Sequence, residues 1–177
     1  MDFLVAAEIE QYAFRSTRAE PRLLQELEAR TFAQMADPQM LTGRLEGRLL
    51  KLLVQMHRPQ LVLEIGTFTG YSALSMAEGL PRDGRLITCE IDPKAQRVAQ
   101  AAFDASPLGK RIELRMGPAL ETLRALDSVI DFSFIDADKT GYPDYYEEVL
   151  ARTRPGGVIL LDNMLMSGRV LDPQDPG

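Results

Sequence analysis

Four residues in the C-terminal half carry groups that could act together: Asp136 and Lys139 in FIDADK, and Asp162 and Asn163 in LLDN. Each pair ends a β-rich apolar run. If the two runs are neighbours in one sheet, their tips lie about 5 Å apart. Two carboxylates at that spacing repel strongly unless a positive charge sits between them. With the amide oxygen of Asn163 they form a set of hard oxygen donors. Such a set suits Mg2+, Mn2+ or Ca2+ and leaves positions open for water and substrate. Lys139 could orient or deprotonate a reacting group. Taken alone, Asp136 and Asp138 read equally well as solvated loop acids, one of them paired with Lys139. The matching Asp-Asn on the second run favours the cation.

A second group of residues follows another β-rich run, in EIGTFTGYSALS from Glu64 to Ser75. Gly66 and Gly70 allow backbone shapes closed to other residues and leave room for a ligand. The helix that follows would offer free N–H groups to an anion, and Ser72 adds a hydroxyl. Glu90, in CEIDPKA, falls 24 residues after Gly66. An acid near that interval, at the end of the second strand, can accept hydrogen bonds from ribose hydroxyls. The glycine spacing is not G-x-G-x-x-G, so the usual pyrophosphate fingerprint is absent. That absence and the Asp162-Asn163 pair argue against a nicotinamide dehydrogenase.

The elements that would position these groups are readable from periodicity. β-rich runs at 61–65, 85–91, 112–116, 131–136 and 157–162 alternate with helical patterns near 71–79, 94–104, 118–126 and 143–153. Asp92 caps the second of these helices ahead of Pro93. Pro155-Gly156-Gly157 reads as a turn into the last strand. Alternating strands and helices imply βαβ units, and right-handed crossovers then favour a doubly wound, Rossmann-like, mostly parallel sheet with helices on both faces. Ligands in such sheets bind at the carboxyl ends of the strands, where all the residues above fall. Cys89 is expected to face the core.

Residues 1–58 read as a helical extension, and 59–177 as the α/β core, one domain overall. A Thr17-x-x-Glu20 capping box would start a helix with a stripe of Leu23, Leu24, Leu27 and Phe32. The Asp37–Gln39 stretch breaks it, and a second stripe runs Leu45, Leu49, Leu52, Leu53, Met56. These stripes could cover the ligand or meet a partner chain. His57 is expected in a surface loop.

Bulk properties exclude several functions. The net charge of −6, from 26 acidic and 20 basic residues, is no footprint for nucleic acid. No apolar run approaches the ~18 residues of a membrane span. The start carries Asp2, Glu8 and Glu10 instead of a positive leader. The single cysteine precludes an internal disulfide. A cytoplasmic protein is expected.

The segments LEIGTFTGYSALSMA, CEID, FIDADK and LLDNMLMSGRV, in that order, resemble the cation-dependent class I O-methyltransferases, the caffeoyl-CoA and catechol O-methyltransferase-like family. The resemblance covers roughly residues 35–170. It implies S-adenosylmethionine as cofactor and a divalent cation, Mg2+ foremost. By position it puts Glu64, Gly66 and Ser72 around the methionine part, Glu90 on the ribose, and Gly117 and Ala119 beside the adenine. It puts Met40 and Leu41 near cofactor and acceptor, and Asp136 and Asp138 close to the cofactor. Asp136, Asp162 and Asn163 match the cation ligands, and Lys139 the general base. It further implies a small aromatic diol as acceptor and a homodimer. Members usually add a further helix and two strands, so the last strands of the usual seven are expected to be missing here, leaving an open sheet edge. Two other readings remain: methylation of a non-catechol acceptor, and a cofactor-binding or scaffold domain without turnover.

Overall fold

The computed structural model describes residues 5–172 and 174; the terminal residues outside that span belong to both ends of the expected domain division. Three helices come first: α1 (Ala7–Ser16), α2 (Arg22–Gln34) and α3 (Gly43–His57). The alternating part follows as β1 (Leu61–Ile65), α4 (Tyr71–Ala77), β2 (Arg85–Glu90), α5 (Pro93–Asp104), β3 (Ile112–Met116), α6 (Ala119–Arg124), β4 (Ile130–Ile135), α7 (Tyr142–Leu150) and β5 (Thr153–Leu161). All four strand pairings are parallel, in the order β3-β2-β1-β4-β5. The order reverses direction at β1, and its neighbours β2 and β4 flank the crevice where ligands bind in doubly wound sheets.

Side-chain alternation explains the two layers. On one face Val62, Leu86, Phe132 and Phe134 share a core with Leu24, Leu27, Leu50, Val54, Leu74 and Phe103 from α2, α3, α4 and α5. On the other, Leu63, Ile65, Ile87, Cys89 and Ile135 pack with Leu123 of α6 and Val149 of α7. β1 is buried along its whole length, as a strand covered on both faces should be. Cys89 faces the core as expected.

Five local expectations are corrected. Thr17 does not start α2: it closes α1, its N–H bonded to Ala13 O, while α2 is preceded by Pro21 without a side-chain cap. Glu20 is buried and pairs instead with Arg44 of α3 at 3.2 Å, an interaction between distant segments that local spacing does not encode. On α2, Leu24, Leu27 and Thr31 are buried while Phe32 is exposed. On α3 the inward face is Gly47, Leu50 and Val54, and Leu49, Leu52 and Met56 face outward. The reason is close helix approach. A Cβ at Gly47 would lie 2.7 Å from Ser75 Oγ and 2.9 Å from the Tyr71 ring, so α3 can cross α4 only with glycine at the contact.

The other two concern the lower end of the sheet. Pro155-Gly156-Gly157 is not a turn before β5 but part of it. The register jumps from Ile130↔Thr153 to Phe132↔Val158, so the extra residues form an irregularity in an outer strand. His57 ends α3 and is half-buried, with Nε2 3.0 Å from Asp131 O and its ring 6.1 Å from that of Phe132. Among the described residues no helix is long and apolar enough to cross a membrane.

Candidate active site

The carboxyl ends of the strands open into a cleft of about 810 Å³. Its walls include Met40, Leu41, Gly66, Ser72, Glu90, Gly117 and Ala119. Asp136, Asp138, Lys139, Asp162 and Asn163 also line it. Of the residues singled out around the ligand, Glu64 and Gly70 are not on its wall: Glu64 lies fully buried at the end of β1, and Gly70 backs onto the Phe103 ring of α5.

The acids are held by the main chain. Asp136 follows β4, and its N–H donates to Ile65 O of β1 at 2.9 Å. Asp162 follows β5, and its N–H donates to Ile135 O of β4 at 3.0 Å. Each is therefore pinned one residue past its strand by the neighbouring strand. Burial raises the Asp136 pKa, and the Asp162 charge raises it further, against the opposing pull of Lys139. Asn163 adopts a positive φ of 55°, a conformation that asparagine tolerates better than most residues. Among the described residues, no three His, Cys, Asp or Glu side chains are grouped so as to hold a metal ion. The donor set here is two carboxylates and an amide, all hard oxygens suited to a divalent cation.

Lys139 Nζ lies 3.7 Å from Asp136 Oδ1 and donates to Asp162 O at 3.2 Å and to the Tyr142 hydroxyl at 2.5 Å. Asp138 is occupied locally. It accepts from Gly141 N, Thr140 Oγ1 and the Tyr145 hydroxyl, at 2.9, 3.1 and 2.7 Å. Burial would raise its pKa, but these donors hold it below the usual carboxylate value.

On the other side of the cleft, Gly66 and Thr67 both donate to Cys89 O at 3.1 Å, which ties the loop after β1 to β2. Glu90 reaches back: its Oε2 accepts from Phe68 N at 2.6 Å, and its Oε1 from Ile91 N and Asp92 N at 2.8 and 2.9 Å. A carboxylate has about four acceptor positions, so this acid is not saturated. Gly117 donates to Glu90 O at 2.9 Å, placing the start of α6 beside it.

Beneath these runs a chain of buried polar groups. Thr88 Oγ1 donates to Glu64 Oε2 at 2.5 Å and lies 2.5 Å from Thr67 Oγ1. Thr31 of α2 donates to Thr69 Oγ1 at 2.8 Å, fastening the helical layer to the glycine loop. Glu64 Oε1 is buried without a hydrogen-bond partner. Its pKa is pushed up to about 8, by burial above all and by the charges of Asp136 and Glu90, against the neighbouring hydroxyls of Ser72 and Thr88.

Sequence reading missed two residues of this site. Glu46 of α3 lines the cleft, and its pKa is pushed up to about 8 by burial and by the negative charges of Asp162 and Asp136. Its only local signal was a polar residue between Leu45 and Leu49, which any solvated helix shows. Tyr142, just ahead of the helix expected near 143–153, was given no role, although it lies three residues beyond Lys139.

A family model described as O-methyltransferase matches residues 14–177. The chain belongs to the O-methyltransferase family. Within that family it is 39% identical over 146 residues to a catechol O-methyltransferase of Niastella koreensis, covering 80% of this chain and 66% of the relative. It is 36% identical over 169 residues to the mouse catechol O-methyltransferase domain-containing protein 1, covering 93% and 64%. The chain thus spans slightly under two thirds of the length of these curated family members. Among solved family structures, the O-methyltransferase TomG of Streptomyces achromogenes, involved in tomaymycin synthesis and bound to SAM, superposes with a TM-score of 0.89. It is 32% identical, and the match covers 96% of this chain and 78% of TomG. The five parallel strands and flanking helices are the methyltransferase form of the Rossmann-like sheet expected from the sequence.

Proposed function

We propose that the chain transfers a methyl group from S-adenosylmethionine to a hydroxyl of a small aromatic diol that a divalent cation holds in the cleft. The observation that carries this reading is the placing of Asp136 and Asp162 at adjacent strand ends, in the same cleft as Glu90 and the Gly66 loop. The matched relatives, one of them a catechol O-methyltransferase and one bound to SAM, point the same way.

The residues present fit both groups. Behind the cofactor side, Glu64 lies fully buried beneath the glycine loop, with one carboxyl oxygen lacking a partner. Glu90 retains acceptor capacity towards ribose hydroxyls, and Gly117 and Ala119 form the wall beside it. Ser72 and Leu41 bound the same space, with Met40 and Asp138 at its margin. For the cation, Asp136, Asp162 and Asn163 supply hard oxygens, and a positive ion would offset the repulsion that raises the Asp136 pKa. When bound, a divalent cation would lower the pKa of a chelated hydroxyl, ordinarily about 10 for a phenol, and fix its orientation.

The protein's own groups then have definite tasks. The strand ends hold the acceptor oxygen against the methyl donor, and positioning of this kind accounts for much of a group-transfer rate. Lys139 Nζ stands at the edge of the acid pair, within reach of a hydroxyl bound there, and takes up its proton when neutral. The helical layer above, fastened through Thr31 to Thr69, keeps water out of the cofactor side. Mg2+ is the first choice of ion, with Mn2+ and Ca2+ as alternatives, and a homodimer with cytoplasmic residence completes the reading.

The test combines calorimetry with adenosylmethionine and a methylation assay on vicinal diphenols and single-hydroxyl phenols, with Mg2+ or EDTA. Cofactor binding and Mg2+-dependent methylation restricted to diphenols are expected. Full activity in EDTA, or equal rates on both phenol classes, overturns it.

A further inference from the structure

We propose that Tyr142 is a positioning residue for this cleft, its hydroxyl clamping Lys139 between the ends of the two acid-bearing strands; the inference rests on the reading just given. Tyr142 opens α7 and is 6% exposed. Its hydroxyl oxygen lies 3.0 Å from Ile135 O and 3.2 Å from Asp162 O, and it accepts from Lys139 Nζ at 2.5 Å. Ile135 immediately precedes Asp136, so one phenol oxygen touches the main chain of both strands just where the acids leave it.

The hydrogen-bond arithmetic is restrictive. A phenol has one proton, shared here between two carbonyls, and its oxygen accepts the lysine proton. The group is thus used in both directions. Lys139 has a flexible four-carbon stem and would otherwise find its own partner. Its nearest charge is Asp136, at 3.7 Å, beyond hydrogen-bond length. Tyr142 and Asp162 O, together with the Tyr142 ring face 4.2 Å from Nζ, hold the ammonium off that carboxylate. Released, the lysine would close on Asp136, occupy a cation ligand and leave the place of a base. The clamp therefore serves both tasks of the site at once: it keeps Asp136 open and Lys139 available.

The test uses Tyr142→Phe, which retains the buried ring and removes the oxygen. The chain has four lysines, so a cold 1H–15N spectrum of the ammonium groups is simple, and Lys139→Met assigns the signal. The wild type is expected to show a slowly exchanging Lys139 ammonium that Tyr142→Phe loses. Mg2+ affinity and kcat should each fall about 10–100-fold, the range for partners one step behind a ligand, with KM for adenosylmethionine unchanged. A fall in melting temperature alone, with cation affinity and kcat intact, marks a merely structural tyrosine and overturns the proposal. So does a wild-type spectrum without the Lys139 signal, a measurement that needs no variant to fold. If the wild type binds no Mg2+ and methylates no diphenol, the proposed function falls. Loss of the ammonium signal in Tyr142→Phe would then still establish the clamp.

Discussion

Gly66 lies so close to Asp136 that a Cβ at position 66 would stand 1.8 Å from the Asp136 carbonyl oxygen. The glycine also has φ of +98°, a conformation side chains rarely adopt. The Gly66 loop and the Asp136 strand end are thus in main-chain contact across β1 and β4. Neither can move without the other.

Gly66→Ala should therefore destabilise the fold by about 3 kcal/mol or more, since strain and backbone collision add. Gly117→Ala is the matched control. Its φ is +116°, but nothing lies within 4 Å of the added atom, so strain alone of about 1–3 kcal/mol is expected. Thermal melts of both variants check this, and equal shifts would contradict the contact.

The acid pair and the lysine should separate by readout. Asp136→Ala and Asp162→Ala should abolish cation-stimulated methylation while changing adenosylmethionine affinity by no more than about threefold, because neither contributes to the ribose or adenine wall. Lys139→Met should leave both affinities in place and lower kcat by about 10²–10⁴, the usual worth of a positioned base. Calorimetry for each ligand beside initial rates distinguishes the two patterns. Loss of cofactor binding in the aspartate variants would rule out the division of labour.

Stability should decline from mildly acidic to mildly basic pH. Glu46 and Glu64 both have pKa values pushed from 4.5 up to about 8 in the fold. Between those values the folded chain keeps protons that the unfolded chain has lost. Unfolding free energy then falls as pH rises, by at most about 1.4 kcal/mol per pH unit for each acid, and levels off above the upper value. Partial exposure of Glu46 reduces its share. Glu46→Gln should flatten part of the slope, and Mg2+ should raise stability most at the basic end. A melting series across this range that stays level would contradict the burial of these acids.

Thr88→Val removes a hydroxyl while nearly keeping shape. It strips Glu64 Oε2 of its 2.5 Å donor and parts Thr67 from Thr88. Leaving such groups unpaired in the interior should cost about 1–3 kcal/mol. Adenosylmethionine affinity should fall as well, because Thr67 belongs to the glycine loop. Chemical denaturation and calorimetry on the same preparation test both parts, and a shift in stability without one in affinity would detach the chain of hydroxyls from cofactor binding.

The order of strands and helices from residue 61 onward was legible in the sequence because it is written in short-range patterns: a nearly unbroken apolar run in LVLEI, a period of two in IELRM, nearer four in the segment after Pro93. The strand-end position of Asp136, Asp162 and Glu90 was legible for the same reason, since each follows directly on such a run. What each residue meets from afar was not. Which side of α3 turns inward was decided by the fit of Gly47 on Ser75 and Tyr71, 28 and 24 residues away, so Leu49, Leu52 and Met56 of the visible stripe face outward while Leu53 packs inward. Packing also brought Glu46 towards Asp136, joined Glu20 to Arg44, and set the Tyr142 hydroxyl against two strands at once. A local pattern sets the backbone period, but the rotation of a helix about its axis and the meeting of side chains from separate elements depend on close packing of the whole. Only the folded chain determines them.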